Sequence, residues 1–296
     1  MIGAFIEALR PRQWTKNLLV FAGLVFSQQL GQPALALRAL AGFVAFSLLS
    51  GVVYLLNDLA DIHADRLHPL KRARPIASGR LPIPAAWAGL APVMTAVALL
   101  SWWLGPLFTF VVIAYLAMNA AYSWGLKHQP LIDVFVVSLG FVLRAIAGVV
   151  LLRPVSPSTT LSPWLLMCTF FGALFLALAK RRRELANAGE HAARRRAVLE
   201  HYTPQLLEGL LLVSAATALI SYALYTIWPA TVAKFHTEAL LYTVPFVTYG
   251  IFRYLFLVRG SEITEDPSQV LLTDRPLAFC VLGYFVTVVA ILYIPR

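Results

Sequence analysis

Charged residues are scarce in this chain. Asp, Glu, Lys and Arg make up 13% of its 296 residues and hydrophobic residues make up 59%, whereas charged residues account for about 25% of a soluble domain. The composition therefore excludes an ordinary soluble protein and predicts a membrane protein. Cysteine is scarcer still: Cys168 and Cys280 are the only two, both lie in apolar runs, and neither indicates a disulfide or redox chemistry.

Long apolar runs fill most of the chain. A helix needs about 20 predominantly apolar residues to cross a bilayer, and the hydropathy pattern predicts about nine such spans. They lie near residues 17–31, 37–60, 86–104, 106–124, 131–152, 162–180, 206–228, 238–258 and 276–294. The runs are apolar on all sides, which disfavours the alternating strands of a membrane barrel. The predicted fold is all-α, a polytopic membrane helical bundle that forms a single domain over residues 1–296.

Positive charge is concentrated on one side of this bundle. With nine spans, 18 of the 24 Lys and Arg residues fall in loops on the side of the N-terminus, and only Arg38, Arg153, Lys234 and Arg296 fall on the other. The positive-inside rule makes the richer side cytoplasmic. The net charge of +10 is thereby accounted for without a nucleic-acid partner, and nothing in the pattern excludes a homo-oligomer.

Acidic residues cluster where the second apolar run ends, in the segment YLLNDLADIHAD. At 100° per residue, Asn57, Asp61 and Asp65 lie within about 80° of one another. Asp58 lies at about 100° and Tyr54 at about 60° on the same side. Oxygen ligands without Cys suit Mg²⁺, which typically binds phosphate groups through one or two carboxylates. A metal-bound diphosphate is the favoured interpretation; the competing one is that these acids simply pair with the basic residues that follow them.

Polar and charged residues at the cytosolic ends of the predicted helices, in the loops there, and within the fifth helix are the candidates for holding a substrate. The predicted substrate-binding set is Arg12, Gln13, Lys16, Asn17, Tyr54, Arg66, Lys71, Arg74, Tyr122, Lys127, Asp133, Arg144, Lys180 and Arg181. Arg144 lies deep in the predicted fifth helix, where a guanidinium group is costly. Two roles stay open for it at this point: a partner of the substrate or of a carboxylate in a pocket, and a structural anchor between helices.

The segment NDLADIHAD matches the NDxxDxxxD signature of the UbiA superfamily of intramembrane prenyltransferases. The stretches RPRQWTKN, HPLKRARPIASG, YSWGLKHQPLID, KRRREL and LTDRPL further resemble the branch of that superfamily that contains the decaprenyl-phosphate phosphoribosyltransferases. The chain departs from typical prenyltransferases in one respect. The second DxxxD motif is missing, because Asp133 is followed four residues later by Val137.

This resemblance implies a magnesium-dependent enzyme of the bacterial inner membrane whose active site faces the cytoplasm. It would transfer a 5-phosphoribosyl group from phosphoribosyl diphosphate to a polyprenyl phosphate. Asp58, Asp61 and Asp65 are the expected catalytic acids, and Asn57, Asp61 and Asp65 the expected Mg²⁺ ligands. The main alternative is a UbiA-type transfer of an isoprenyl group from its diphosphate to an aromatic or other acceptor, and a third is transport of an anionic lipid or metabolite.

Overall fold

The computed structural model describes residues 1–67, 71–188, 197–260, 270 and 273–294. Across these residues the chain forms helices and irregular connections, and no β-strand occurs among them. The all-helical prediction is confirmed. It follows from sequence runs that are apolar throughout, since a backbone inside a bilayer satisfies its hydrogen bonds locally only as a helix.

The α-helices are numbered here in chain order over the described residues. They are α1 (Ile2–Ala8), α2 (Ala22–Phe26), α3 (Pro33–Ala60), α4 (Ile62–Leu67), α5 (Ile83–Leu104), α6 (Pro106–Trp124), α7 (Ile132–Val150), α8 (Pro163–Ala188), α9 (Pro204–Ile227), α10 (Pro229–Phe235), α11 (Val244–Arg259) and α12 (Arg275–Tyr293). Within the same described ranges, five 3₁₀ helices lie in the connections, at Pro11–Phe21, Lys71–Ala73, Leu126–His128, Ala197–His201 and Ala239–Thr243. Proline stands in the first turn of many of these helices, where its missing N–H costs nothing.

Eight helical segments of the described chain are long and apolar enough to cross a membrane. They are α3, α5, α6, α7, α8, α9, the segment Ala239–Arg259 that ends with α11, and α12, and each matches a predicted span. The predicted span at residues 17–31 differs, because it is a 3₁₀ helix followed by the short α2. At about 2 Å per 3₁₀ residue and 1.5 Å per α-helical residue, Pro11 to Phe26 still extends about 30 Å.

The chain divides into two compact units. Unit 1 comprises Met1–Trp124 and Leu143–Leu161, and unit 2 comprises Gly125–Val142 and Ser162–Arg296. Helix α7 therefore contributes its first residues to unit 2 and its last residues to unit 1. The prediction of one domain over residues 1–296 stays a prediction.

The core of unit 1 is built from apolar side chains of α3, α5, α6 and the end of α7. Phe46 on α3 packs edge-on against Phe108 and Tyr115 of α6, with ring centroids 5.8 and 5.5 Å apart. The N-terminal 3₁₀ helix and α2 pack closely on α7. A Cβ added to Gly23 would lie 2.1 Å from the carbonyl oxygen of Gly148, so only glycine fits there.

The core of unit 2 is centred on α8 and α9, with side chains from α11 and α12. Phe175 of α8 packs edge-on against Tyr254 of α11 at 5.4 Å between ring centroids. Two helices of this unit begin with side-chain caps, since Thr203 accepts from the amide of Leu206 and Asp274 from the amide of Leu277.

Candidate active site

The acidic segment lies at a break between two helices of unit 1. Helix α3 ends at Ala60, and Asp61 takes non-helical angles before α4 begins. Helical hydrogen bonding nevertheless continues through the break, because the amide of Asp61 donates to Asn57 O (2.9 Å) and the amide of Asp65 to Asp61 O (2.8 Å). The arc expected for a continuous helix is thereby kept, and Asp58 and Asp65 lie on one face, both almost fully buried.

Two arginines contact these buried acids. Arg74 places its Nη1 3.0 Å from Asp58 Oδ1 and 2.6 Å from Asp65 Oδ2, so one guanidinium group bridges both carboxylates. The Nη2 of Arg10 donates to the same Oδ1 of Asp58 at 2.5 Å. Both arginine side chains stay partly exposed, at 28% and 29%. The pairing of the acids with basic residues, which was the competing interpretation of the sequence, is thus present.

Arg10 owes its position to an unusual backbone conformation. It joins α1 to the first 3₁₀ helix with φ 53° and ψ 62°, in the left-handed region that non-glycine residues seldom occupy. Its guanidinium group also lies over the ring of Tyr54, 4.6 Å from the ring centroid. Tyr54, predicted to bind substrate, here supports Arg10.

The basic loop after α4 is held in a defined shape. The hydroxyl of Ser78 donates to Arg74 O at 2.7 Å, and Gly79 turns the chain with φ 79°. Arg66 ties α4 to this loop through a 3.3 Å hydrogen bond from its Nε to Ala77 O. Arg80 forms a two-pronged pair with Glu7 of α1, at 2.8 Å for each contact, and this guanidinium group lowers the pKa of Glu7.

The donor set near Asp58 and Asp65 suits Mg²⁺ in chemistry, because carboxylate oxygens are hard ligands. Within the residues that the structure describes, however, no three Asp, Glu, His or Cys side chains converge as a ready metal site. The oxygen of Asn57 accepts a hydrogen bond from Ser123 of α6 at 2.7 Å. The arrangement therefore fits a cation that reaches one or two carboxylates together with phosphate oxygens. The ligand set Asn57, Asp61 and Asp65 stays a prediction.

Arg144 lies in a buried polar cluster of unit 1. Its Nε donates to Asn17 Oδ1 at 2.7 Å, and its Nη2 to the hydroxyl of Tyr115 at 2.9 Å and of Ser50 at 3.4 Å. The amide nitrogen of Asn17 in turn donates to Ser47 at 3.2 Å. These contacts join the N-terminal 3₁₀ helix to α3, α6 and α7. They favour the structural interpretation of Arg144, and the predicted substrate contacts of Arg144 and Asn17 stay predictions.

The remaining predicted residues of unit 1 lie on the N-terminal 3₁₀ helix, in the basic loop and at the end of α6. Arg12 is exposed, and Gln13, Lys16, Lys71 and Tyr122 are half-buried. They share a unit with the acids. Their proposed phosphate contacts are untested.

Unit 2 contains a second acid–arginine cluster. Asp133 is fully buried, with Oδ2 2.9 Å from Nε of Arg181 and Oδ1 accepting from the hydroxyl of Tyr202 at 2.9 Å. The same hydroxyl accepts from the amide of Leu131 at 2.7 Å, and Leu131 is another left-handed residue, with φ 65°. Arg181 also pairs with Glu184. Burial raises the pKa of Tyr202 to about 12, and the neighbouring Asp133 carboxylate adds to this rise.

Asp133 and Arg181 were predicted to bind substrate, and the structure joins them to each other in unit 2. Lys127 lies half-buried in the 3₁₀ helix before α7, and Lys180 lies 3.9 Å from Glu184. The four acids and amides of the NDxxDxxxD segment, by contrast, all belong to unit 1. A role in substrate binding stays a prediction for the residues of unit 2, which are Lys127, Asp133, Lys180 and Arg181.

Arg10, Ser123, Glu184 and Tyr202 were missed as contributors. Arg10 could have been found only as the first residue of the stretch RPRQWTKN, since its left-handed backbone leaves no sequence signal. Glu184 could have been found as a helical partner of Lys180 and Arg181 at spacings of four and three. Ser123 and Tyr202 reach their partners across 66 and 69 residues, which no local pattern indicates.

Comparison with known proteins identifies the family of this chain and its relatives. A family model described as "UbiA prenyltransferase family" matches residues 17–291. Decaprenyl-phosphate phosphoribosyltransferase of Mycolicibacterium smegmatis is 36% identical, over 99% of this chain and 93% of its own length. The protein of the same name from Corynebacterium glutamicum is 35% identical, over 98% of this chain and 86% of its own length.

Solved structures of the same architecture are more distant in sequence. A UbiA homolog from Archaeoglobus fulgidus bound to GPP and Mg²⁺ superposes with a TM-score of 0.69 at 17% identity, covering 98% of this chain and all of that one. The same homolog bound to DMAPP and Mg²⁺ gives a TM-score of 0.70. At this identity the likeness concerns the fold.

Proposed function

The chain belongs to the UbiA prenyltransferase family, and from this membership we propose that it is a polyprenyl-phosphate phosphoribosyltransferase. It transfers a 5-phosphoribosyl group from phosphoribosyl diphosphate to decaprenyl phosphate or a related polyprenyl phosphate and releases diphosphate. The observation that carries the proposal is the nearly full-length similarity to enzymes named for this reaction. The resemblance stated from the sequence motifs is confirmed at the level of the family.

The acid–arginine cluster of unit 1 supports this assignment. In the reaction the bond between ribose C1 and the diphosphate oxygen breaks, a bond from C1 to a lipid phosphate oxygen forms with inversion, and the diphosphate leaves with the bonding electrons. Asp58, Asp61 and Asp65 orient the donor, and Mg²⁺ supplies charge stabilisation of the diphosphate. Arg74, with Lys71 in the same loop, holds phosphate oxygens.

No general base is needed for this transfer. A phosphate monoester is already anionic at neutral pH, so the acceptor attacks without losing a proton to the protein. The carboxylates of unit 1 are accordingly assigned to donor binding, and none of them is assigned to proton transfer.

The chain is a multi-pass membrane protein. We place it in the bacterial inner membrane, with the N-terminus and the acidic segment on the cytoplasmic side, where a water-soluble donor is available. The distribution of Lys and Arg between alternate loops supports this orientation.

The deciding experiment mixes detergent-purified protein with ¹⁴C-labelled phosphoribosyl diphosphate, decaprenyl phosphate and Mg²⁺. Label is expected to enter the organic phase, to require both substrates and to disappear with EDTA. A parallel reaction offers an isoprenyl diphosphate with an aromatic acceptor. Consumption of the isoprenyl donor without labelling of the lipid phosphate overturns the proposal in favour of prenyl transfer. When the protein is reconstituted into vesicles, movement of label across the membrane without chemistry favours transport.

A further inference from the structure

We propose that Arg10 is a positioning residue that neutralises Asp58 when no divalent cation is bound and moves to the diphosphate when the metal-bound donor arrives. The inference rests on one part of the proposed function, namely that the acidic segment binds a metal-bound diphosphate. It adds a residue outside the stretch matched by the family model, which begins at residue 17.

Charge balance is the first step of the argument. Asp58 and Asp65 are buried carboxylates, and a buried charge is tolerated only when it is paired. Arg10 and Arg74 supply two positive charges, so these four side chains sum to zero. A divalent cation added to this neutral group would meet two guanidinium charges at close range. Its binding is therefore favoured when one arginine leaves the carboxylates.

The contacts identify Arg10 as the arginine that leaves. Arg74 bridges both acids, and its own carbonyl oxygen is held by the hydroxyl of Ser78. Arg10 contacts a single oxygen of Asp58. That oxygen already accepts a hydrogen bond from Arg74, so Asp58 stays paired when Arg10 departs.

Arg10 is also arranged so that its guanidinium group can move. The side chain is 28% exposed, and its guanidinium group lies over the flat face of Tyr54, along which it can slide without losing the cation–π contact. The backbone of Arg10 is left-handed, with φ 53°. A diphosphate arriving beside Asp58 offers it new acceptor oxygens, to which guanidinium groups bind in a two-pronged manner.

The test measures the affinities for a divalent cation and for pyrophosphate, which removal of the Arg10 charge should change in opposite directions. Mn²⁺ alone, and inorganic pyrophosphate in excess Mg²⁺, are titrated calorimetrically into detergent-purified wild type and Arg10→Gln. Removing the competing cation is expected to tighten Mn²⁺ binding about tenfold. Losing a charge-assisted contact is expected to weaken pyrophosphate binding about tenfold. Arg72→Gln is the control, because Arg72 is an exposed arginine of the basic loop; both of its affinities should match wild type.

Affinities that fall together, that stay unchanged, or that change equally in Arg72→Gln overturn the inference. If Arg10→Gln does not fold, Arg10→Lys carries the test. Because it keeps the charge, it should bind Mn²⁺ as weakly as wild type, and it should bind pyrophosphate several-fold less tightly since one ammonium replaces the guanidinium fork. If Arg10→Lys binds Mn²⁺ more tightly than wild type, or binds pyrophosphate as tightly as wild type, the inference is likewise overturned. Pyrophosphate binding is measured without ribosyl or prenyl transfer. A failure of this inference can therefore be distinguished from a failure of the proposed reaction.

Discussion

Two acid–arginine clusters, one in each unit, differ in how far water reaches their cations. In unit 1, Asp58 and Asp65 are buried, but Arg10 and Arg74 are more than a quarter exposed. In unit 2, Asp133 is fully buried and the side chain of Arg181 is 4% exposed. An exposed guanidinium group can exchange one anion for another, whereas a buried pair is costly to open. From this difference we expect ligand exchange at the open cluster of unit 1 and structural support from the closed cluster of unit 2, and the substrate-binding role predicted for Asp133 and Arg181 stays a prediction.

The largest expected effect comes from Asp65→Asn in the open cluster. The amide keeps the shape of the side chain but removes the charge that we propose orients the donor. We expect phosphoribosyl transfer to fall about 10²–10³-fold, while the thermal unfolding temperature in detergent changes little, because Arg74 can turn toward water. Transfer near the wild-type rate would remove Asp65 from the site.

Asp133→Asn in the closed cluster should lower the stability of the protein, whereas Asp65→Asn should lower its rate of transfer. It removes the buried carboxylate that pairs with Arg181 and leaves Glu184 as an acidic partner of that arginine. Breaking a buried pair costs up to about 3–5 kcal/mol. The unfolding temperature should fall by on the order of 10 °C, with transfer per folded molecule retained. The matched control is Asp133→Leu combined with Arg181→Met, which should recover part of the loss, because Tyr202 and Glu184 each lose one partner in it. An unchanged unfolding temperature with lost transfer would instead make this cluster part of the active site.

Arg144→Met tests whether a buried cluster within unit 1 behaves like the closed cluster of unit 2. The change removes the hydrogen bonds that Arg144 donates to Asn17 and Tyr115, at a cost of about 1–3 kcal/mol. A lower unfolding temperature with an unchanged KM for phosphoribosyl diphosphate is expected. A raised KM at an unchanged unfolding temperature would favour the alternative in which Arg144 contacts the substrate.

The smallest effect is a pH dependence that belongs to the closed cluster. The pKa of Tyr202 is about 12 in the folded chain, above the roughly 10 of an exposed tyrosine. The stabilisation it provides is therefore fully present below pH 10 and is lost as the pH rises from 10 to 12, by on the order of 1–2 kcal/mol. Unfolding of wild type and Tyr202→Phe is compared from pH 8 to 11. The two curves should converge as the pH rises, and parallel curves would contradict the assignment.

Periodicity was sufficient to predict the helices and the acidic face. Eight apolar runs became long helices because each can satisfy its backbone only internally, and the 100° rotation per residue correctly grouped Asp58 with Asp65. The N-terminal span was less predictable, since its 3₁₀ form depends on contacts with α3 and α7. Arg10 was not predictable as a partner of Asp58, because the contact joins residues 48 positions apart through a left-handed backbone.

The close packing of Gly23 on Gly148 constrains the order in which the chain can assemble. Gly148 is made more than a hundred residues after Gly23, and unit 1 is completed by residues 143–161. During synthesis, which proceeds from the N-terminus, residues 1–124 are complete while the surface that receives Gly23 has yet to be translated. The segment carrying Val20 and Gly23 thus reaches its final packing only after α7 has emerged.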